Sequence, residues 1–147
     1  MEPKAQAAME YMVITGISLL ILLVLLNTAY RKVGEMQKQA DLDAAERAVN
    51  KLKEAADFVY VHGHPSKLTI EVYLPGGVYA PNTYVSGNTI NLALGQGDTY
   101  TDVWRGTKGP VEWDAGGNTT MPSVRGYYVI TVESGGPLLG GVINVHE

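Results

Sequence analysis

Residues 4–30 read KAQAAMEYMVITGISLLILLVLLNTAY, and this stretch decides how the rest of the chain is interpreted. From Met12 to Ala29 there are eighteen consecutive residues without a charge. An α-helix of that length rises about 27 Å, close to the hydrocarbon thickness of a bilayer. The run Leu19 to Leu26 is apolar on every face, whereas a surface helix of a soluble domain has a polar side. The stretch therefore predicts a helix that can span a membrane.

A buried helix and a cleaved signal fit the apolar run less well than a membrane-spanning helix does. A helix buried inside a soluble protein rarely stays apolar on all sides for so long. A cleaved secretory signal needs a basic start, a shorter apolar core and a small-x-small cleavage site. Asn27-Thr28-Ala29-Tyr30 is a poor site of that kind, and a helical pattern continues through it. We therefore expect the apolar segment to remain in the mature chain.

The helical pattern continues from Tyr30 to about Val59, now with two faces. Charged residues occupy one face, and good helix formers fill the segment apart from Gly34. The other face carries apolar or small residues at steps of three or four, namely Val33, Met36, Ala40, Ala44, Ala48, Leu52, Ala55 and Val59, widened by Ala45 and Val49. His62-Gly63-His64-Pro65 should end the helix, because glycine suits a left-handed cap and proline blocks continuation. Something must cover the apolar stripe, and the C-terminal part of the chain is the natural candidate.

From Lys67 onward the apolar residues recur with a period of two. This pattern predicts strands, which we place at Lys67 to Leu74, Thr89 to Leu94, Thr99 to Trp104, Val111 to Trp113, Tyr127 to Val132 and Gly141 to Val145. Glycine-rich turns separate them at intervals that suit a small antiparallel sandwich or sheet. The expected fold class is α+β, with a long N-terminal helix, apolar then amphipathic, followed by a β-rich head. Its parts are a leader at 1–5, a helix at 6–62 with a membrane or core segment at 12–29, and a head at 66–147.

Composition excludes several classes of function. The net charge is −4 and Arg31-Lys32 is the most basic point of the 147 residues, so nucleic acid is not expected as the main partner. There are no cysteines, which excludes disulfides, thiolate metal sites and cysteine nucleophiles. An exported chain of this kind must gain its stability from its core, its neighbours or both.

The residues before the apolar run resemble the leader of archaeal type IV pilins. Lys4-Ala5 is followed by Gln6, and Glu10 lies four residues after Gln6, directly before Tyr11 and the apolar helix. In that family a short polar leader ends in a basic and a small residue, cleavage occurs before a glutamine, and a glutamate lies four residues later. The resemblance implies a class III signal peptide, cut by a prepilin peptidase between Ala5 and Gln6. The leader MEPKA departs from the pattern in its shortness and in the acidic Glu2, and its single lysine is a weak signal for retention inside the cell.

Glu10 has two possible roles. Cleavage would make the amine of Gln6 a new positive charge inside an apolar assembly, where a charge is tolerated only if it is paired. The resemblance implies that Glu10 faces such an amine, in the same or a neighbouring subunit, and so acts in assembly. Alternatively, Glu10 lies at the headgroup level and interacts favourably with the helix N-terminus. Thr15, Gly16 and Ser18 likewise suit either close helix packing or ordinary membrane composition.

The resemblance also implies a function and a set of partners. The chain would be a structural subunit of an adhesive pilus, a helical polymer with the apolar helices in its core and the β heads on its surface. Its partners would be copies of itself, the prepilin peptidase, the assembly ATPase with its membrane platform, and the membrane before assembly. It would lie in the archaeal cell membrane first and in the extracellular filament afterwards. An archaellum subunit is disfavoured, because the glycine-rich start typical of those proteins is absent.

Further candidate sites are sparse, and we expect neither enzyme activity nor a cofactor. His62 and His64 could bind a metal with a carboxylate, but histidines at a turn are usually solvated. The carboxylates of the head are scattered among turns, with no base or nucleophile beside them, although calcium binding by such loops stays open; they are Asp98, Asp102, Glu112 and Asp114. Asn118-Thr119-Thr120 is an acceptor sequence for N-glycosylation, which would make the chain a glycoprotein.

Two alternatives to the main filament subunit use the same leader. One is a minor pilin-like subunit anchored in the membrane. The other is an extracellular binding module that uses the apolar helix only as a tether. Copy number separates the three: sheared filaments made mostly of this chain indicate the main subunit, and recovery from membranes alone indicates an anchor.

Overall fold

The fold combines one long helix with two small β-sheets. The computed structural model describes residues 3–96, 99–113, 121–135 and 143–146. Helix α1 is Pro3–His62, and the strands in the described ranges are β1 (Lys67–Leu74), β2 (Tyr84–Ser86), β3 (Thr89–Gln96), β4 (Thr99–Gly106), β5 (Val111–Trp113), β6 (Gly126–Ser134) and β7 (Ile143–His146). Internal contacts divide the chain into two units, Met1–Gln39 and Ala40–Glu147. The α+β class expected from the sequence is confirmed.

Helix α1 ends where the sequence predicts. Gly63 has φ 68°, a left-handed conformation that glycine adopts without steric cost, and its amide donates to the carbonyl of Val59 at 3.0 Å. The hydroxyl of Ser66 donates to the same carbonyl at 3.1 Å. These bonds satisfy a carbonyl that the helix end would otherwise leave without a partner.

The strands form two separate sheets. The first has the order β1-β6-β7-β5, and the second has the order β2-β3-β4. Neighbours are antiparallel, and β1 pairs with β6 over its whole length, from Lys67 opposite Glu133 to Leu74 opposite Gly126. The exception is the β5–β7 pair, which is parallel. Parallel neighbours require a long connection, and the chain passes through β6 between β5 and β7.

The sequence pattern did not predict strand β2, nor the short 3₁₀ turn Ala80–Asn82 before it. Strand β2 has only three residues, too few for a visible alternation, and it pairs with β3 through Tyr84–Asn91, Val85–Ile90 and Ser86–Thr89. The two residues between the strands are Gly87 and Asn88, and Gly87 has φ 60°. A two-residue hairpin with glycine at the first central position is a favoured connection. The predicted turn at Ser86-Gly87-Asn88 is therefore correct, but its preceding strand was missed.

The core of the second unit lies between the amphipathic part of α1 and both sheets. Its largest fully buried side chains come from the helix and from strands of both sheets, and they include Leu52, Leu74, Ile90, Leu92 and Ile130. The stripe predicted on the helix is buried at Ala45, Ala48, Val49, Leu52, Ala55 and Val59. Val33 and Met36, assigned to the same stripe, are 53% and 69% exposed. Helical spacing predicts a common face but does not decide where along that face a partner lies.

Polar contacts hold α1 to segments of the second sheet and of the β4–β5 loop. Arg105 on β4 donates from Nε to the amide oxygen of Asn50 at 3.0 Å. Asp57, which is 9% exposed, accepts the backbone amide of Lys108 at 2.7 Å and the ammonium of Lys53. Burial raises the pKa of Asp57, but the hydrogen bonds and charges of Lys53 and Lys108 lower it by more, so the pKa lies below the ordinary carboxyl value.

Candidate functional site

The apolar segment of the first unit is exposed along its whole length. Helix Gln6–His62 is long and apolar enough to cross a membrane, and none of its apolar window is buried. The large side chains of residues 12–29 range from 45% exposed at Leu26 to 77% at Met12. Transferring one such side chain from water to an apolar environment is favourable by about 1.5–3 kcal/mol. The segment is therefore compatible with membrane association.

Two hydroxyl groups in this segment are satisfied within the helix itself. Ser18 donates to the carbonyl of Ile14 at 2.8 Å, and Thr28 donates to the carbonyl of Val24 at 2.9 Å. These back-bonded hydroxyls need no polar partner from an apolar environment. At Gly16 an added Cβ would meet no atom of this chain within 4 Å, so the helix presents a flat, open position there. Both features suit a helix surrounded by lipid or by other helices.

The predicted cleavage and assembly residues lie on the same helix. Gln6 and Glu10 are exposed and four residues apart, which puts them on one face about one turn from each other. Ala5 belongs to α1, but its side chain is outside the described residues, as are residues 1 and 2 entirely. The cleavage between Ala5 and Gln6 and the role of Glu10 therefore stay predictions.

A groove of about 430 Å³ lies in the second unit between α1 and the β1–β6 pair, and we call it the α1–β1 groove. On the helix side it is lined by Ala40, Ala44 and Ala48, which are spaced by four and so share a face. Alanine methyl groups leave the space that larger side chains would fill. The groove thus has an apolar floor made by one row of the helix.

Two tyrosines form the opposite wall of the groove. Tyr73 on β1 is paired in register with Tyr127 on β6, and their ring centroids are 4.9 Å apart. Arg125 donates from Nε to the hydroxyl of Tyr73 at 2.6 Å, and its guanidinium carbon is 6.0 Å from the centre of that ring. These contacts place the guanidinium of Arg125 beside the ring of Tyr73.

The charges around the groove are mostly positive. Arg47, Lys51 and Arg125 line it, against a single carboxylate from Asp41. The hydrogen bond to Tyr73 and, to a smaller extent, the charge of Asp41 raise the pKa of Arg125, so its guanidinium stays charged. Lys51 also donates to the backbone carbonyl of Glu71 at 2.9 Å. The groove is therefore a basic concavity on a chain whose net charge is −4.

Exposed aromatic residues also cross the outer face of the second sheet. Tyr84 is opposite Asn91 and Asn91 is opposite Trp104, so the three share a row. Tyr84 is 46% and Trp104 59% exposed, whereas Asn91 is 5% exposed and donates to Asp102 at 3.2 Å. Tyr100 on β4 is also partly exposed, at 41%.

The remaining predicted sites are not brought together in the part of the chain that the structure describes. The ring of His62 stacks on Phe58 with centroids 4.0 Å apart, and its Nδ1 lies 2.8 Å from the Phe58 carbonyl. Within the described residues there is no cluster of three or more possible metal ligands. Asn118, with Asp98 and Asp114, lies outside the described residues, as does the side chain of His146.

Sequence reasoning did not find the α1–β1 groove. Its cations and tyrosines are separated by up to 80 residues of chain, from Arg47 to Tyr127, and no local motif joins them. The row of alanines is visible in the sequence, but its spacing alone places it in the covered stripe.

Comparison with protein-family models, with curated proteins and with solved structures finds no match to this chain.

Proposed function

We propose that this chain is a structural subunit of an archaeal type IV pilus of the adhesive kind. In this proposal the prepilin peptidase removes residues 1–5, and the helix beginning at Gln6 packs with its copies in the filament core. The β head is exposed on the filament surface after assembly by an ATPase and its membrane platform. The resemblance of the residues around Gln6 and Glu10 to a pilin leader supports this proposal, and the helix-plus-sheet fold is compatible with it.

The observation that carries the proposal is an apolar helical segment that no described residue of the chain buries, joined to a well-packed second unit. The large side chains of residues 12–29 are exposed, while the second unit buries Leu52, Val72 and Ile130 almost completely. Many copies of such a helix can bury each other's apolar surface once they leave the lipid. The polar groups Ser18 and Thr28 do not oppose this packing, because they already bond within the helix.

Mass spectrometry of the N-terminus in sheared extracellular filaments tests processing and assembly together. We expect this chain to be the main protein of that fraction and to begin at Gln6. A chain that begins at Met1 there would contradict the cleavage, and absence of the chain from the filaments would contradict the filament role.

The variant Glu10→Ala tests the assembly role of the acid. We expect normal expression and membrane insertion. The amount of the chain in the filament fraction should fall about tenfold, because the amine of Gln6 would be buried without a partner. Glu35→Ala is the matched control, because Glu35 is an exposed carboxylate of the same helix that pairs with Lys32 at 2.9 Å. Equal filament yields from the two variants would show that Glu10 has no assembly role.

A membrane-tethered binding module is the second candidate. The basic α1–β1 groove favours it, because a concave site with charged and aromatic walls can hold a ligand without any polymer. Quantifying the chain in the membrane and filament fractions separates the two candidates: a tether is recovered with the membrane alone.

A further inference from the structure

We propose that the α1–β1 groove is the docking site for the head of a second copy of this chain, whose acidic side chains meet Arg47, Lys51 and Arg125. The inference rests on the proposed function, because it assigns a contact within the assembly. It adds a specific contact between heads to the packing of apolar helices.

The residue types of the groove are those of a protein interface. Tyrosine and arginine are enriched in such interfaces and dominate their binding energy, whereas lysine-rich, apolar-poor surfaces are typical of free solvent-exposed faces. Tyr73, Tyr127, Arg47 and Arg125 surround an alanine floor. A volume of about 430 Å³ is sufficient for several inserted side chains.

Apolar residues extend the groove over the neighbouring sheet surface. Tyr127 is 73% exposed, and Val129, two residues later on the same face of β6, is 59% exposed. Val124, just before β6, is 69% exposed. A row of exposed valine and tyrosine side chains beside a charged groove suits a protein partner better than a small anion, which would leave the apolar rim uncovered.

Charge complementarity favours a second copy of this chain as the partner. The groove is lined by three cations and one carboxylate. Apart from Arg125, residues 66–147 contain 7 acidic residues against 3 basic ones. The head of a second copy is therefore negative where the groove is positive, which favours attraction between them.

Chain connectivity keeps the groove close to other copies in the proposed filament. Ala40, the first groove residue, follows Ala29 by eleven residues. Even a fully extended chain of that length spans no more than about 40 Å. If residues 12–29 of many copies pack together, each groove is tethered within about 40 Å of that packed segment.

Photo-cross-linking in intact filaments tests the contact directly. Tyr127 is replaced by p-benzoyl-phenylalanine in the full-length chain, the filaments are sheared off and irradiated, and the linked peptides are identified by mass spectrometry. We expect covalent dimers in which the benzophenone at position 127 is joined to an acidic peptide from the head of another copy. Links to lipid or glycan alone, or filaments with no linked dimer, would overturn the inference while leaving the filament role intact. If the unmodified chain forms no filaments, the proposed function fails instead.

Two variants of Arg47, one that reverses its charge and one that keeps it, test whether charge attraction contributes to the docking. Arg47→Glu should lower the filament yield about tenfold, because it places like charges together at the contact, whereas Arg47→Lys should keep it within about twofold. Melting of the head, followed by tryptophan fluorescence, confirms that both variants fold. If both variants fold and give equal filament yields, the docking proposal is contradicted. If Arg47→Glu fails to fold, the cross-linking experiment on the chain with native Arg47 tests the docking instead.

Discussion

The two halves of α1 both carry apolar side chains but have opposite surroundings. Leu23 in the first unit is 65% exposed, and Leu52 in the second unit is 1% exposed. Around Leu23 every face of the helix is apolar, whereas around Leu52 charged residues such as Lys51 and Lys53 occupy the other face. The comparison shows that the all-round apolar half is left exposed by the described residues, while the striped half is covered by the pair of sheets.

The largest expected difference comes from the same truncation in each half. Leu52→Ala should lower the free energy of unfolding of the head by about 2–5 kcal/mol, because it leaves a cavity in a packed core. Leu23→Ala should leave that free energy unchanged. The measurement is urea unfolding in detergent followed by tryptophan fluorescence, since Trp104 and Trp113 are the two tryptophans of the chain and both lie in the head. If both variants lowered the free energy of unfolding by similar amounts, Leu23 and Leu52 would contribute equally to the packed core, contrary to the comparison.

Glycine substitutions should have opposite signs in the two units. An added Cβ at Gly109 would overlap the ring of Tyr60, whereas at Gly34 it would meet nothing within 4 Å. Gly109→Ala should therefore destabilise the head by about 1–3 kcal/mol, and combining it with Tyr60→Ala should recover part of the loss. Gly34→Ala should stabilise the helix by about 0.5–1 kcal/mol, visible as greater helicity by circular dichroism in micelles. A stabilising Gly109→Ala would contradict the overlap.

The smallest expected effect concerns the pH dependence of the second unit. Because the pKa of Asp57 is lower in the folded chain, its charged form adds stability above the unfolded value of about 3.9. Asp57→Asn should cost about 1–2 kcal/mol at pH 7, and the difference from the parent chain should vanish as the pH falls through the folded value of Asp57. Glu46→Gln, at an exposed acid on the same helix, is the control. A difference that does not change between pH 7 and pH 3 would show that the charge of Asp57 is not responsible.

Local patterns predicted most of the elements of this fold. Lys67–Leu74 and Val111–Trp113 have the predicted bounds, and the helix ends at His62 because Gly63 and Pro65 act over one or two residues. Three-residue β2 was missed because its stability comes from its partner β3 and from the Gly87 turn. The parallel pairing of β5 with β7 was also invisible, since strand order depends on contacts between distant segments.

The sequence by itself determined that the chain has an uncharged helical segment at 12–29, an amphipathic continuation and a β-rich remainder, because charge, helical period and turn residues act locally. The leader pattern that ends in Gln6 and Glu10 is likewise a property of adjacent residues. Only the tertiary structure decided which part of the stripe is buried and which residues meet across the head. Tyr73 and Arg125 are 52 residues apart in sequence, yet they are joined by a hydrogen bond of 2.6 Å. Such a contact depends on the packing of α1 and both sheets together, which no local pattern specifies.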